Sequence, residues 1–168
     1  MADEDDLAAA RTDSPPAVEA LFEEHWLTAW RAAYAVTARA DLADDAAQDA
    51  FVSAIRSLGR FDRNRPFAPW IAKIAVNRAR DLLRAERRRR AERLAEAIEA
   101  PAGPNASGLL LAVAALPREQ REAVVLHHVL GFSLREVAEI VGAPEGTVTS
   151  RLGRGVARVR QTMEAEHA

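Results

Sequence analysis

Apolar positions recur every three to four residues along most of this chain, and no stretch of strand length alternates with period two. The spacing predicts a helix from about Val18 to Arg39, with Leu21, Phe22, Trp26, Trp30 and Ala33 near one face. It predicts a second from about Leu42 to Leu58, with Ala47, Phe51, Ala54, Ile55 and Leu58 inward. The turn formers in "GRFDRNRPFAP" mark a loop, and Pro69 suits a first helical position. A long helix is expected from Trp70 to about Ala97. "EAPAGPNASG" then breaks the pattern with two prolines and two glycines, as a linker does. Shorter helices are expected near Leu109–Ala115 and Arg118–Leu130 and from Ser133 onward. The expected fold is all-α: two small helical domains joined by a flexible linker. The boundaries are an acidic flexible tail at 1–17, an N-terminal domain at 18–97, a linker at 98–108 and a C-terminal domain at 109–168.

The C-terminal part reads as a helix-turn-helix. "SLRE" is a capping box, in which the Ser133 hydroxyl accepts from the Glu136 amide and Glu136 reaches back. Gly142 can end that helix in the left-handed conformation, and Pro144 can open the next. Leu134, Val137, Ala138 and Val141 face inward on the first helix; Val148, Leu152, Val156 and Val159 form the apolar stripe of the second. Opposite that stripe stand Thr147, Arg151, Arg154 and Arg158, with Thr149 and Ser150 beside them. N-terminal side chains of such a helix reach base edges, and its arginines reach bases or phosphates. A helical hairpin with a solvated basic face is the bland alternative.

Charge sharpens the picture. The formal net charge is −2, but residues 1–50 carry −9, residues 51–100 carry +7 and residues 101–168 carry 0. Phosphate binding follows the local field, so the central segment is the candidate for nucleic acid. Of the 23 basic residues all but Lys73 are Arg, which suits phosphate. Lys73, Asn77, Arg80 and Arg84 share one helix face, and Arg87 and Arg88 extend it. Asp81 can pair locally with Arg84 or Arg78. Asn77 offers donors and an acceptor at fixed angles and can read a base edge; a solvated polar role is the ordinary use of such a residue. The chain has no cysteine, which removes disulfides and thiolate metal sites and points to an intracellular setting. Its acidic N-terminus does not fit a signal peptide. No metal site is expected from the Asp cluster, nor from His127-His128, whose side chains diverge by about 100° on a helix. No cofactor or nucleophile pattern is present, and no enzymatic activity is expected.

"DDAAQDAFVSAIRSLGRFD", "PFAPWIAKIAVNRARDLLR" and "ALPREQREAVVLHHVLGFSLREVAEIVGAPEGTVTSRL" follow one another in that order. Together they resemble the extracytoplasmic-function sigma factors, the small two-domain members of the bacterial sigma-seventy class, over about residues 18–160. The resemblance implies a cytoplasmic promoter-specificity subunit, nucleoid-associated when in holoenzyme. Its partners would be core RNA polymerase, promoter DNA and a controlling anti-sigma factor. It implies that Asp44, Asp45, Gln48 and Asp49 meet the clamp helices of the largest polymerase subunit; Phe51 reads as core. It implies that Arg63, Arg65, Lys73, Asn77, Arg80 and Arg84, with Phe67 and Trp70 nearby, engage the melted minus-ten element as single strand. Thr147, Thr149, Ser150, Arg151, Arg154 and Arg158 would bind the minus-thirty-five element as duplex.

Some positions depart from the family pattern. Thr149 stands where a basic residue is common, Gly153 and Gly155 interrupt the recognition helix, and Ala46 and Ala47 replace larger aliphatics. Each helical glycine costs up to about 1 kcal/mol relative to alanine, so a weakened helix is expected there. Weaker packing is expected at the two alanines. An ordinary helix-turn-helix regulator is the competing reading, but it needs a ligand or receiver domain for which the N-terminal half offers no pattern.

Overall fold

The computed structural model describes residues 15–62, 64–92 and 108–166. Among them there is no strand. The elements are α1 (Pro15–Thr37), α2 (Ala40–Ser57) with a 3₁₀ turn (Leu58–Arg60), α3 (Phe67–Glu92), α4 (Gly108–Ala114), α5 (Arg118–Val124) running into a π-type turn (Val125–Val129), α6 (Leu134–Val141) and α7 (Glu145–Glu166). The tail to residue 14, Arg63, most of the linker and the end of the long helix expected at 93–97 lie outside the described residues. The long helix begins at Phe67, three residues before the expected start, so Pro69 falls in its first turn, where a missing N–H costs nothing.

The first three helices pack on one another through alanines. Ala29, Ala32 and Ala33 on α1, Ala43, Ala46, Ala47 and Ala50 on α2, and Ala72, Ala75 and Ala79 on α3 are all fully buried. Small side chains let the three axes approach closely, so Ala46 and Ala47 are part of this packing rather than gaps in it. Larger residues close the ends: Phe51, Leu58, Phe61, Phe67 and Ile71 are buried, and Phe61 lies edge-on to Phe67 at 5.7 Å. Two residues expected inward are not: Ile55 is 37% and Phe22 40% exposed. Each sits one helical step outside the alanine seam, and Phe22 stacks on Trp26 at 4.9 Å across the helix surface.

Between α1 and α2 the chain turns in two residues. Ala38 adopts φ 52, the left-handed C′ position that ends a helix, and its N–H bonds the Tyr34 carbonyl at 2.8 Å. The Thr37 hydroxyl donates to the Arg39 carbonyl, and Arg39 N–H donates back to it.

In the C-terminal unit α6 is capped as expected. Ser133 Oγ accepts from Glu136 N at 3.2 Å, Glu136 Oε2 accepts from Ser133 N at 2.8 Å, and Gly142 sits at φ 70. Leu126, Val137, Ile140 and Val148 are its best-buried large aliphatics. Ile140, three residues after Val137, lies deeper than Leu134 or Val141. α7 runs unbroken through both glycines. Gly153 has open space where a side chain would stand, whereas a Cβ on Gly155 would lie 2.7 Å from Val124 Cγ2 and 3.3 Å from the Gln120 carbonyl. Gly155 is therefore the crossing point of α5 and α7.

The two units are not independent in this structure. α5 packs on α1 and α6 on α3, and one apolar core runs through Ala33, Val76, Ala123, Leu126 and Val137.

Candidate nucleic-acid interface

α3 has one buried and one open side, because Ile71, Ala72, Ala75, Val76 and Ala79 all turn into the core. The 4, 3, 4 spacing then carries Lys73, Asn77 and Arg84 outward together, and all three are exposed. Asp81 pairs with Arg84 at 2.9 Å, while Arg78 donates instead to Ser53 Oγ on α2 at 2.7 Å. Arg80 departs from the expectation of an open basic face. Its side chain is 20% exposed, against 65% for Arg84, and it pairs with Glu122 at 2.8 Å and donates to the Val141 carbonyl. The C-terminal unit covers it.

The loop before α3 is shaped by Asp62, whose Oδ1 accepts from Asn64 N at 3.0 Å and whose carbonyl accepts from Arg65 N. Arg65 is exposed and ion-paired with Glu139 on α6. That guanidinium holds the Glu139 carboxyl below its ordinary value of 4.5. Trp70 packs on Phe61 at 4.7 Å and on Phe67 at 5.3 Å, which fixes the start of α3 beside this loop. A cavity of about 360 Å³ lies between the loop and α6, with Arg60, Arg65, Trp70 and Lys73 in its wall.

On α7, Thr149, Ser150, Arg154 and Arg158 are exposed and Thr147 is half-buried. Thr149 Oγ1 donates to the Glu145 carbonyl at 3.0 Å, and Arg154 folds back on Ser150. Arg151 is 21% exposed and pairs with Glu119 at 3.0 Å, so it spans the gap between α5 and α7 rather than standing free. A second cavity of about 360 Å³ gathers Arg87 of α3 with Arg118, Arg151 and Arg154. Four cations from three elements outweigh the single carboxylate of Glu119 in its wall and leave a surplus of positive charge, which suits phosphate oxygens.

The acidic surface is set by α2. Its alanines face in, so Asp44, Asp45, Gln48 and Asp49 are exposed together. Asp44 accepts from Trp30 Nε1 at 2.6 Å. Asp41 stands in the first turn of the helix, where the dipole favours it, and pairs with Arg39 at 2.5 Å. That hydrogen bond, before other causes, lowers the Asp41 carboxyl from 3.8. Phe51 is core, at 5% exposure.

Two features escape single-sequence reasoning. Arg121 and Glu122 sit in what looks like an amphipathic helix, yet both are buried, at 6% and 2% exposure. Beside local partners, Arg121 reaches carbonyls on α1 and Glu122 reaches Arg80 on α3, which local periodicity cannot indicate. The other is an apolar groove of about 780 Å³ between the units, walled by Trp30, Tyr34, Leu110, Val125, Val129 and Val159. Leu109, Leu110 and Val129 are at least half exposed beside it. The His127 and His128 rings pack edge to face at 4.9 Å; His127 Nδ1 donates to the Phe132 carbonyl at 2.7 Å, and His128 lines the groove. Among the described residues no His, Asp and Glu cluster could hold a metal, and no helix is long and apolar enough to cross a membrane.

Residues 8–89 match the sequence model of sigma-70 region 2, and residues 107–159 match that of sigma-70 region 4. Among curated proteins, the chain is 38% identical over 130 residues to the RNA polymerase sigma factor CarQ of Myxococcus xanthus, covering 73% of this chain and 75% of that one. It is 32% identical over 163 residues to the ECF RNA polymerase sigma factor SigM of Mycobacterium tuberculosis, covering 94% and 82%. Among solved structures, CnrH in complex with the cytosolic domain of CnrY superposes with TM-score 0.71 at 28% identity, over 98% of this chain and 99% of that one. The sigma factor RpoE of Bartonella quintana, in complex with the anti-sigma factor NepR, shares the fold, with TM-score 0.73 at 22% identity over 87% and 96%.

Proposed function

The chain belongs to the sigma-70 family, in its extracytoplasmic-function group, and we propose that its charged surfaces divide the work of promoter-directed initiation among themselves. As a sigma factor it directs core RNA polymerase to promoters and has no catalysis of its own. The acidic face of α2, with Asp44, Asp45, Gln48 and Asp49, takes the polymerase clamp helices. The α3 face and the loop before it take the melted minus-ten strand. Arginines lower the cost of approaching phosphate, while contacts to extruded bases offset lost pairing and stacking. Asn77 is the base reader on that face, with Lys73 and Arg84 as phosphate contacts and Arg63 and Arg65 at its loop end. Thr147, Thr149, Ser150, Arg154 and Arg158 of α7 take the minus-thirty-five duplex, joined by Arg151 once its tie to Glu119 yields. The chain acts in the cytoplasm, on the nucleoid when in holoenzyme.

The observation that carries this reading is the exposed Lys73–Asn77–Arg84 face joined in one chain to a capped helix-turn-helix. An anti-sigma factor completes the system. CnrH, 28% identical, was solved with the cytosolic domain of CnrY. The groove between Trp30, Tyr34, Leu110 and Val159 suits the apolar face of an amphipathic helix. Asn77→Ala tests the division of labour. It should slow open-complex formation while leaving assembly with core polymerase intact; equal loss of both would reject a base-reading role.

A further inference from the structure

The cleft of about 360 Å³ where α3, α5 and α7 meet is walled by four arginines. Arg87 comes from the last part of α3, Arg118 from the start of α5, and Arg151 and Arg154 from α7. Glu119 is the one carboxylate in the wall, so four cations against one anion leave a formal surplus of three positive charges. Like charges gathered this way repel one another, and their present partners relieve only part of that. Arg151 bonds Glu119 at 3.0 Å, and Glu119 is itself 54% exposed. Arg118 turns Nε toward Glu122 at 3.3 Å. Arg154 folds Nε and Nη2 back on Ser150. Arg87 is exposed and makes no hydrogen bond or ion pair to another described residue. A guanidinium carries more donors than any of these contacts uses, so every one of the four keeps N–H groups for a ligand. Apart from the charged residues the wall holds only Pro117 and Gln120, with no aromatic ring.

We propose that this cleft binds a compact polyphosphate, either an inorganic chain or the phosphate tail of a nucleotide, and that the bound anion keeps the upstream duplex off α7. Guanidinium groups make charge-assisted and often bidentate bonds to phosphate oxygens, and linked phosphates present several such oxygens at once. Their charge balances the surplus in the wall. A single phosphate or sulfate brings less charge and fewer oxygens, so it is held more weakly. Without an aromatic ring for a base to stack on, the cleft recognises the phosphates and not the nucleobase. Glu119 is the internal competitor, because an oxyanion must take Arg151 from it. That exchange costs little, since the exposed carboxylate returns to water. The exclusion of duplex rests on reading α7 as the helix that takes the minus-thirty-five element. Arg151 and Arg154 then serve both ligands and hold one at a time, and each ligand weakens the other by the same factor.

Calorimetric titration of the full chain at physiological salt, with sodium tripolyphosphate as the probe, tests the site. One saturable site is expected, with orthophosphate and sulfate bound roughly tenfold more weakly or worse. ATP and GTP should bind alike, within about twofold of each other. Arg87→Ala removes a charge-assisted contact at an exposed position and should weaken tripolyphosphate roughly tenfold. Glu119→Gln, also a surface change, removes the competitor and should tighten it roughly threefold. Circular dichroism confirms that both variants remain helical. A fluorescent duplex carrying the upstream element should bind the parent roughly tenfold more weakly at saturating tripolyphosphate than in sulfate of matched ionic strength. Absence of saturable binding, or an Arg87→Ala variant that binds as tightly as the parent, overturns the site. A large gap between ATP and GTP overturns recognition through phosphates alone. ATP and GTP both far weaker than tripolyphosphate would uphold the site with an inorganic chain as its ligand. Anion binding that Arg87→Ala loses, with duplex affinity unmoved by the anion, upholds the site and overturns the assignment of α7 to the duplex.

Discussion

Replacing Gly155 with alanine should destabilise the chain, and the same change at Gly153 should stabilise it, although the two sites are two residues apart in one helix. Helix propensity favours alanine by about 1 kcal/mol at either position. At Gly153 nothing lies within 4 Å of the added methyl, so the gain should be close to that value. At Gly155 the methyl would lie 2.7 Å from Val124 Cγ2 and 3.3 Å from the Gln120 carbonyl. Val124 is itself 6% exposed, so its methyl has little room to swing away, and the backbone of α5 must move as well. Overpacking of this kind costs about 1–3 kcal/mol, which cancels or exceeds the propensity gain. The net change at Gly155 is therefore a loss of up to about 2 kcal/mol. Urea denaturation of the two single variants, with the m-value checked for constancy, measures both. The reasoning fails if Gly155→Ala is as stable as Gly153→Ala.

Other expectations follow from single contacts. Asn77→Ala should reduce the equilibrium for open-complex formation by roughly fivefold, about 1 kcal/mol for one lost base contact, with core binding unchanged in a pull-down. Asp45→Lys or Gln48→Ala should weaken holoenzyme assembly in a competition assay, because both residues stand on the exposed acidic face of α2. Ala38→Gly should raise stability by up to about 1 kcal/mol, since alanine pays for the left-handed conformation at φ 52 and glycine does not. Glu139 is held below its ordinary value of 4.5 by Arg65, so the contribution of this pair to stability is complete above that value and is lost as pH falls through the lowered one. The difference in urea stability between the parent and Glu139→Gln should accordingly be largest near neutral pH and fade in acid.

Helical periodicity and turn residues were enough to anticipate the all-α class, the capping box at Ser133 and the left-handed Gly142, because each is a local property of a few neighbouring residues. The outward grouping of Lys73, Asn77 and Arg84 followed from helix geometry in the same way, whereas Asp44, Asp45, Gln48 and Asp49 were grouped only through the family resemblance. What was not legible depends on distant partners. Arg80 belongs to a basic face by spacing, but Glu122, 42 residues further on, covers it. Gly155 looks like a helix defect until α5 is laid across it. The alanines of α2 look too small for a core until α1 and α3 supply alanines of their own. Periodicity says which side of a helix is apolar; it does not say how closely the neighbour approaches, nor that two domains with a linker between them share a core.

The central claim is that this chain confers promoter specificity on RNA polymerase. Reconstitution of the full chain with core polymerase, followed by run-off transcription from a promoter library, tests it most directly. The account predicts initiation from a defined subset sharing two elements, with the upstream one lost in an Arg154→Ala variant and the downstream one dependent on Asn77. DNA binding by the isolated chain with no initiation above core polymerase alone would contradict it.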